Sequence, residues 1–210
     1  MSFTTSLINR KSASRLFAAA VLGASLYSAN TLAEADLTAV PSGEYAVDPT
    51  HAYINFQYVH LGLSKPTLSF DTFSIDMNLD TADATKSSIA VEIDAASVLT
   101  GSDIFYDHIT GGKWFDVAAN PTMTFQSTSI EGSGDSYSVT GDLTIKGMTK
   151  PVTLDVTING AMMHPMANKP VVGFSATGKL MRSDWGLGAN APYISDEVEL
   201  SVTAEMLQSS

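Results

Sequence analysis

The chain has 210 residues, of which 44% are hydrophobic, and it carries a net charge of −11 at neutral pH. This length allows one hydrophobic core, so we expect a single domain or at most two small ones. The strong negative charge disfavours nucleic acid and anionic lipid headgroups as partners, and the absence of cysteine excludes a disulfide framework.

The N-terminus has the pattern of a secretory signal peptide. Three basic residues precede an uncharged apolar run over residues 16–26, and small residues follow it. This run is too short to span a bilayer. We predict cleavage after Ala35, which removes residues 1–35, or alternatively after Ala33; residues 36–43 then form a polar lead-in. The protein is therefore expected to be exported to the periplasm, without stable membrane insertion.

Most of the remaining chain, residues 44–207, alternates between apolar and polar residues with a period of two. This pattern predicts β-strands with one apolar face. In chain order, the alternating runs begin at Tyr45, Ala52, Phe73, Ile89, Met123, Tyr137, Val152, Val172 and Val198. An apolar residue also stands at Phe70, and the change of phase at residues 71–72 is typical of a β-bulge.

The longest predicted hairpin spans residues 136–160. Two alternating runs flank residues 146–151, where Gly147 supplies the backbone freedom that a tight turn needs. Pro151 has no N–H to donate to a neighbouring strand, so we place it at the start of the second strand. Because a two-stranded ribbon cannot bury its own apolar face, the other strands must cover this one.

One short helix is predicted among the strands. The alternation stops between residues 95 and 109, and Ser102 precedes Asp103 and Ile104 as an N-cap would. The chain is therefore predicted to be all-β, a single antiparallel sheet of about eight strands with one short helical insertion. Such a sheet must fold into a sandwich or close into a β-barrel, because an open sheet would leave its apolar face in water.

Several short motifs resemble the YceI-like family, in the same order and over residues 43–205. They include Asp48-Pro49-Thr50-His51-Ala52, His60-Leu61-Gly62, His108-Ile109, Trp114-Phe115-Asp116, Pro121-Thr122-Met123-Thr124-Phe125, Gly141-Asp142-Leu143-Thr144-Ile145-Lys146-Gly147, Arg182-Ser183-Asp184-Trp185-Gly186 and Ser195-Asp196-Glu197-Val198. The resemblance implies a lipocalin-like antiparallel β-barrel that holds a long polyisoprenoid lipid in an internal channel, and it implies no catalytic residue. The chain departs from the family at Phe105-Tyr106, where an Arg-Asp pair is usual, and at Ser69, where glycine is usual.

The inward-facing residues of the strands are the candidate ligand-binding residues. Periodicity alone cannot distinguish a packed barrel interior from a hollow one. With the resemblance, we expect the channel lining to comprise Ile54, Phe56, Tyr58, Phe73, Ile75, Val91, Phe125, Leu143, Ile145, Leu154, Phe174, Leu180 and Leu200. Tyr106 and His108 are placed at the mouth of the barrel, as candidates for contact with a lipid headgroup.

Neither a metal site nor a catalytic site is predicted. The four histidines, His51, His60, His108 and His164, do not have the spacing of metal ligands on a helix, and no cysteine assists them. The sequence contains no G-x-S-x-G motif and no carboxylate pair with recognisable apolar shielding. We therefore expect a protein that is not an enzyme and has no cofactor other than its bound lipid.

The predicted function is to bind and shield an isoprenoid lipid, either a polyprenyl phosphate or an isoprenoid quinone, for carriage or storage in the periplasm. Two alternatives stay open at this point. One is an enzyme or redox accessory that acts on such a lipid, and the other is a ligand-free stress-related barrel with a solid core. The sequence also leaves open whether two chains form a homodimer.

Overall fold

The computed structural model describes residues 35–209, so the predicted signal peptide lies outside the described residues except for its last residue. The strands are β1 (Gly43–Gln57), β2 (Thr67–Phe70), β3 (Phe73–Leu79), β4 (Ser88–Asp94), β5 (Val98–Leu99), β6 (Thr122–Ser133), β7 (Ser136–Ile145), β8 (Met148–Met163), β9 (Pro170–Met181) and β10 (Glu197–Gln208). One α-helix, α1 (Asp103–Thr110), lies between β5 and β6. No helix within residues 35–209 has the length and apolar character needed to cross a membrane.

The strands form one antiparallel sheet that closes on itself as an eight-stranded barrel. The barrel order is β1, β3, β4, β6, β7, β8, β9 and β10, and β10 pairs with β1 to close it. The short strand β2 continues the line of β3: β3 pairs with Gly43–Ala46 of β1, and β2 pairs with Ile54–Gln57. The prediction of an all-β barrel of about eight strands is confirmed.

The strands contain two irregularities. The predicted β-bulge at residues 71–72 is instead an interruption that separates β2 from β3. The runs that begin at Tyr45 and Ala52 belong to a single strand, β1, whose pairing with β10 shifts between Val47 and Ala52. A bulge therefore connects the two runs, and it contains Asp48 and His51.

The predicted hairpin of residues 136–160 is confirmed, but its turn is shorter than expected. Lys146 and Gly147, with φ of 50° and 70°, form a two-residue connection in the left-handed region, which suits the twist of the flanking strands. The prediction that Pro151 starts the second strand is wrong, since β8 begins at Met148 and Pro151 pairs with Asp142. The hairpin is thus longer than the apolar alternation indicated.

The interior divides into two apolar clusters, one toward each end of the barrel. One cluster contains Leu37 and Val40, which belong to the predicted polar lead-in and are buried there beside Tyr45. The Tyr45 hydroxyl donates a hydrogen bond to the carbonyl oxygen of Pro41 at 2.7 Å, which holds this segment against the barrel. We call this end the closed end.

The opposite cluster is covered by α1 and by the segment that follows it. The helix begins as predicted, because the Ser102 hydroxyl accepts a hydrogen bond from the backbone N–H of Phe105. It buries Ile109, and Trp114 is buried close behind it. This helix is therefore in position to border an opening at this end of the barrel.

A hollow apolar barrel as the candidate functional site

The barrel encloses a cavity of about 490 Å³ whose wall is almost entirely apolar. The structure places every predicted lining residue in this wall except Phe73. Phe73 is half-buried and packs between the two clusters, directly after the irregularity at residues 71–72. The alternation therefore placed Phe73 on the inward face correctly, but this side chain contacts the two clusters and does not line the cavity.

The interior is hollow rather than packed solid. Val91, Leu143, Leu154, Leu200 and Val202 all point into the barrel and line the cavity, yet none of them is fully buried. Inward-facing aliphatic side chains of a closely packed core would be fully buried. Their remaining accessible surface faces the cavity, and this excludes the alternative of a barrel with a solid core.

Two glycines help to keep the wall compact without filling the cavity. A Cβ atom on Gly141 would lie 2.3 Å from Cζ of Phe125, and one on Gly178 would lie 2.5 Å from Cδ2 of Leu154. The ring of Phe125 therefore occupies the space that a side chain at position 141 would take, and the Leu154 side chain occupies the corresponding space at position 178. Close packing across strands, as well as curvature, explains glycine at these positions.

The cavity opens between the turn after β1 and helix α1. Three residues line the cavity and are also exposed to solvent, namely His60, Ser64 and His108. The lining residues nearer the closed end, such as Val139 and Phe174, are all buried or half-buried. The cavity is therefore open at this end of the barrel, and these three side chains border the mouth.

His108 lies at the mouth, as predicted, whereas Tyr106 does not contribute to the cavity wall. The indole N–H of Trp114 donates a hydrogen bond to Nε2 of His108 at 2.8 Å. The hydroxyl of Tyr106 donates to the carbonyl oxygen of Ala96 at 3.0 Å, so this side chain is used in packing. Phe105 lines the cavity and makes this side of the mouth apolar.

Arg182 is the charged residue among the cavity-lining residues, and sequence analysis did not assign it a role. Its side chain is 6% exposed, and it donates hydrogen bonds to the backbone carbonyl oxygens of Leu187, Ala189, Ile194 and Ser195. Its guanidinium lies 5.4 Å from the centroid of the Trp114 ring. Burial lowers the pKa of Arg182, and the charge of Asp196 opposes this effect. Arg182 therefore holds the segment between β9 and β10 over the mouth.

Comparison with known proteins identifies the family. A profile of the YceI-like domain matches residues 45–206. The chain belongs to the YceI-like family. Protein YceI from Salmonella arizonae is 34% identical to it over 169 residues, which are 80% of this chain and 88% of the relative.

Solved structures share the fold of this YceI-like protein. BcnA from Burkholderia cenocepacia has a TM-score of 0.69 at 27% identity, over 76% of this chain and 98% of BcnA. A polyisoprenoid binding domain from Saccharophagus degradans has a TM-score of 0.57 at 15% identity, over 80% of this chain and 99% of that domain. The second likeness extends to the fold alone.

Many lining residues of the YceI-like barrel were not predicted. Some lie on the inward face of a strand, where the same alternation could have found them: Ile93, Met123, Val139, Val152, Val156, Ala176, Val198 and Val202. Others come from β2, from α1 and from loops that show no alternation: Phe70, Phe105, Ile109, Trp114, Phe115, Leu187 and Ile194. The rings of Phe56, Phe70 and Phe115 lie 5.5 to 6.2 Å apart and form an aromatic wall beneath the mouth.

Tyr58 and one surface cluster carry the remaining polar chemistry of interest in the YceI-like protein. Burial raises the pKa of the Tyr58 phenol, and the nearby charge of Arg182 partly offsets this, so the cavity-lining hydroxyl is neutral at physiological pH.

On the outer surface, ligand atoms of Asp48, His51 and Glu205 lie within 4.8 Å of one another. Nδ1 of His51 is 3.1 Å from Oδ2 of Asp48, and these two residues form a local ion pair when the histidine is protonated.

Proposed function

We propose that the protein binds a long isoprenoid lipid inside the barrel and shields it from water. The observation that carries this proposal is the hollow apolar cavity of about 490 Å³ inside the barrel. Membership of the YceI-like family supports the proposal, as does the shared fold with a polyisoprenoid binding domain from S. degradans.

Burial of hydrocarbon accounts for the affinity of such a site. Each buried methylene group contributes about 0.8 kcal/mol, so roughly a dozen of them provide on the order of 8 to 10 kcal/mol before the entropy lost on binding. This corresponds to a dissociation constant near micromolar or lower. A lipid tail can therefore be held by its length, and the nearly apolar wall matches this mode of binding.

The cavity also makes the protein sensitive to its ligand. An empty apolar cavity of about 490 Å³ would destabilise the fold by an amount on the order of 10 kcal/mol at most, since truncation mutants lose about 24 cal/mol per Å³. This upper bound is comparable with the whole stability of a typical domain. We therefore expect the lipid to stabilise the protein and to remain bound through purification.

The chemistry of the wall favours a binding protein over an enzyme. Among the described residues, no aspartate or glutamate lines the cavity. The lone pair on Nε2 of His108 accepts a hydrogen bond from Trp114, and Arg182 is occupied by backbone carbonyl oxygens. In this arrangement neither His108 nor Arg182 is free to act as a general base.

We further propose that the protein acts in the periplasm, in carriage or storage of a polyprenyl phosphate or an isoprenoid quinone. The basic and apolar pattern at its N-terminus supports export. The test is to recover the protein from periplasmic extract, measure the mass of the mature chain and analyse an organic-solvent extract by mass spectrometry. We expect cleavage near Ala35 and close to one prenyl lipid per chain. An extract free of lipid, or the appearance of chemically altered lipid on incubation, would overturn the binding role.

A further inference from the structure

The mouth of the cavity is surrounded by large apolar side chains that face solvent. Leu63 is 84% exposed, Ile104 86%, Tyr193 72% and Leu61 51%. We call these four residues the mouth patch. Contiguous exposed apolar residues on a soluble protein mark surfaces that bind another apolar phase or partner.

Each residue of the mouth patch is adjacent in sequence to a residue that lines the cavity. Leu61 follows His60, Leu63 precedes Ser64, Ile104 precedes Phe105, and Tyr193 precedes Ile194. The exposed apolar residues therefore directly adjoin the residues that line the cavity. A lipid that crosses this rim passes from one apolar surface to the other.

The loops that carry the patch are held together by backbone hydrogen bonds. The N–H of Leu61 donates to the carbonyl oxygen of Tyr193 at 2.8 Å, and the N–H of Ser195 donates to that of Val59 at 2.9 Å. The hydroxyl of Ser195 also accepts from the N–H of Val59 at 2.9 Å. Leu61, Leu63 and Tyr193 are thus presented by one ordered unit, whereas α1 presents Ile104, so little conformational freedom is lost when they contact a partner.

We propose that the mouth patch docks on the surface of a lipid bilayer with zwitterionic headgroups, and that the isoprenoid lipid enters the barrel from there. This inference rests on the proposed function. Leucine and isoleucine insert into the boundary between headgroups and acyl chains, and tyrosine is favoured at that depth. The four patch residues are uncharged, the neighbouring Lys65 is paired with Glu199, and the chain is strongly acidic. Docking therefore depends on apolar insertion, and anionic lipid opposes it.

The test compares delivery of geranylgeraniol from two sources. One source is phosphatidylcholine vesicles that contain the alcohol, and the other is octyl glucoside micelles that bypass docking. The test variant is Leu63→Asp with Tyr193→Asp, and both positions are exposed. The matched control is Met163→Asp with Met166→Asp. These two exposed apolar residues, 60% and 82% exposed, lie at the end of β8 and in the loop that follows it, away from the mouth.

We expect the test variant to take up geranylgeraniol from vesicles at least about tenfold more slowly than the wild-type protein and the control, with unchanged uptake from micelles. Co-flotation of the wild-type protein with vesicles should be insensitive to salt and should weaken when phosphatidylglycerol is added. Vesicle uptake by the test variant at the wild-type rate, or an equal loss in the control, would overturn the proposal. A concentration-dependent dimer that the test variant abolishes would assign the patch to a second copy and would also overturn it.

The two proposals fail in different ways. If the wild-type protein takes up no geranylgeraniol even from micelles, the lipid-binding role fails. Flotation with phosphatidylcholine vesicles still decides docking in that case, since it needs no cargo. Loss of flotation in the test variant alone supports the docking surface, and equal flotation of all three proteins contradicts it.

Discussion

The guanidinium of Arg182 lies over the indole ring of Trp114, 5.4 Å from the ring centroid. The two residues come from opposite sides of the mouth: Trp114 follows α1, and Arg182 follows β9. The same indole donates its N–H to His108, and the same guanidinium holds four backbone carbonyl oxygens. One pair of side chains therefore joins the two segments that border the opening.

Replacement of Arg182 by methionine should destabilise the protein by about 3 kcal/mol or more. The variant keeps an apolar contact with Trp114 but leaves several carbonyl oxygens without their donor, and each buried unsatisfied group costs about 1 to 3 kcal/mol. The free energy of unfolding, measured in urea by near-ultraviolet circular dichroism, checks this. Arg182→Lys keeps the charge with fewer donors and should give an intermediate value. Full stability of Arg182→Met would show that the carbonyl oxygens do not need the guanidinium.

Substitution of Gly141 by alanine should affect both stability and cavity. The new Cβ atom would lie 2.3 Å from Cζ of Phe125 and 2.6 Å from the carbonyl oxygen of Gln126, so the ring and the backbone of β6 must both shift. We expect a loss of about 1 to 3 kcal/mol, as for other overpacked sites, and less bound lipid per chain. Gly160→Ala is the control, because a Cβ atom there would have no neighbour within 4 Å. Equal behaviour of the two variants in thermal unfolding would contradict the packing role of Gly141.

Filling the cavity with Leu200→Trp should separate lipid binding from stability. Leu200 lines the cavity and is only half-buried, whereas the next residue on β10, Ser201, is exposed. We expect a several-fold fall in extracted lipid, together with a gain of about 0.5 to 2 kcal/mol in the stability of the lipid-free protein. Ser201→Trp should change neither quantity by as much. An undiminished lipid content in Leu200→Trp would show that the lipid is held elsewhere.

The pH dependence of stability should include a contribution from Asp48. Hydrogen bonds from the Thr50 hydroxyl and from His51 lower the pKa of Asp48 from 3.8 to about 2. A carboxyl whose pKa is lower in the folded state stabilises the fold above its unfolded pKa, and this stabilisation is lost as the pH falls from about 4 to about 2. Asp48→Asn should therefore reduce the melting temperature at pH 5 and flatten its dependence on pH in the acid range.

His51 gives the same variant a second readout at higher pH. The pKa of His51 is raised from 6.5, mainly by the hydrogen bond with Asp48. Protonated His51 therefore stabilises the fold below pH 6.5, and this stabilisation is lost as the pH rises through the pKa of His51 in the folded state. Asp48→Asn should remove this decline as well. Glu92→Gln, which changes an exposed carboxyl on β4, serves as the control. Parallel melting curves for Asp48→Asn and the wild-type protein from pH 2 to pH 8 would contradict the assignment.

The strands and the inward face of most of them could be predicted from the sequence because side chains alternate across a β-strand whatever the strand packs against. Val91, Leu154 and Leu200 were identified in this way. The same rule also placed Phe73 on the inward face, but it could not show that this side chain packs against the two clusters and does not line the cavity. It also did not predict the burial of Leu37 and Val40, because two apolar residues in a short polar segment form no alternating pattern.

The closure of the sheet into a barrel and the cavity at its centre could not be predicted from the alternation of apolar and polar residues. Whether inward side chains meet or leave a space depends on how many strands close the sheet and how steeply they tilt, and these are properties of the assembled molecule. The mouth depends on contacts between segments that are distant in sequence, such as Trp114 and Arg182. Alternation thus specifies which side chains turn inward. The cavity is created by the closure of β10 onto β1, and its opening by the loops across one end of the barrel. Both features depend on contacts between residues that are distant in sequence, and a local alternation pattern carries no information on such contacts.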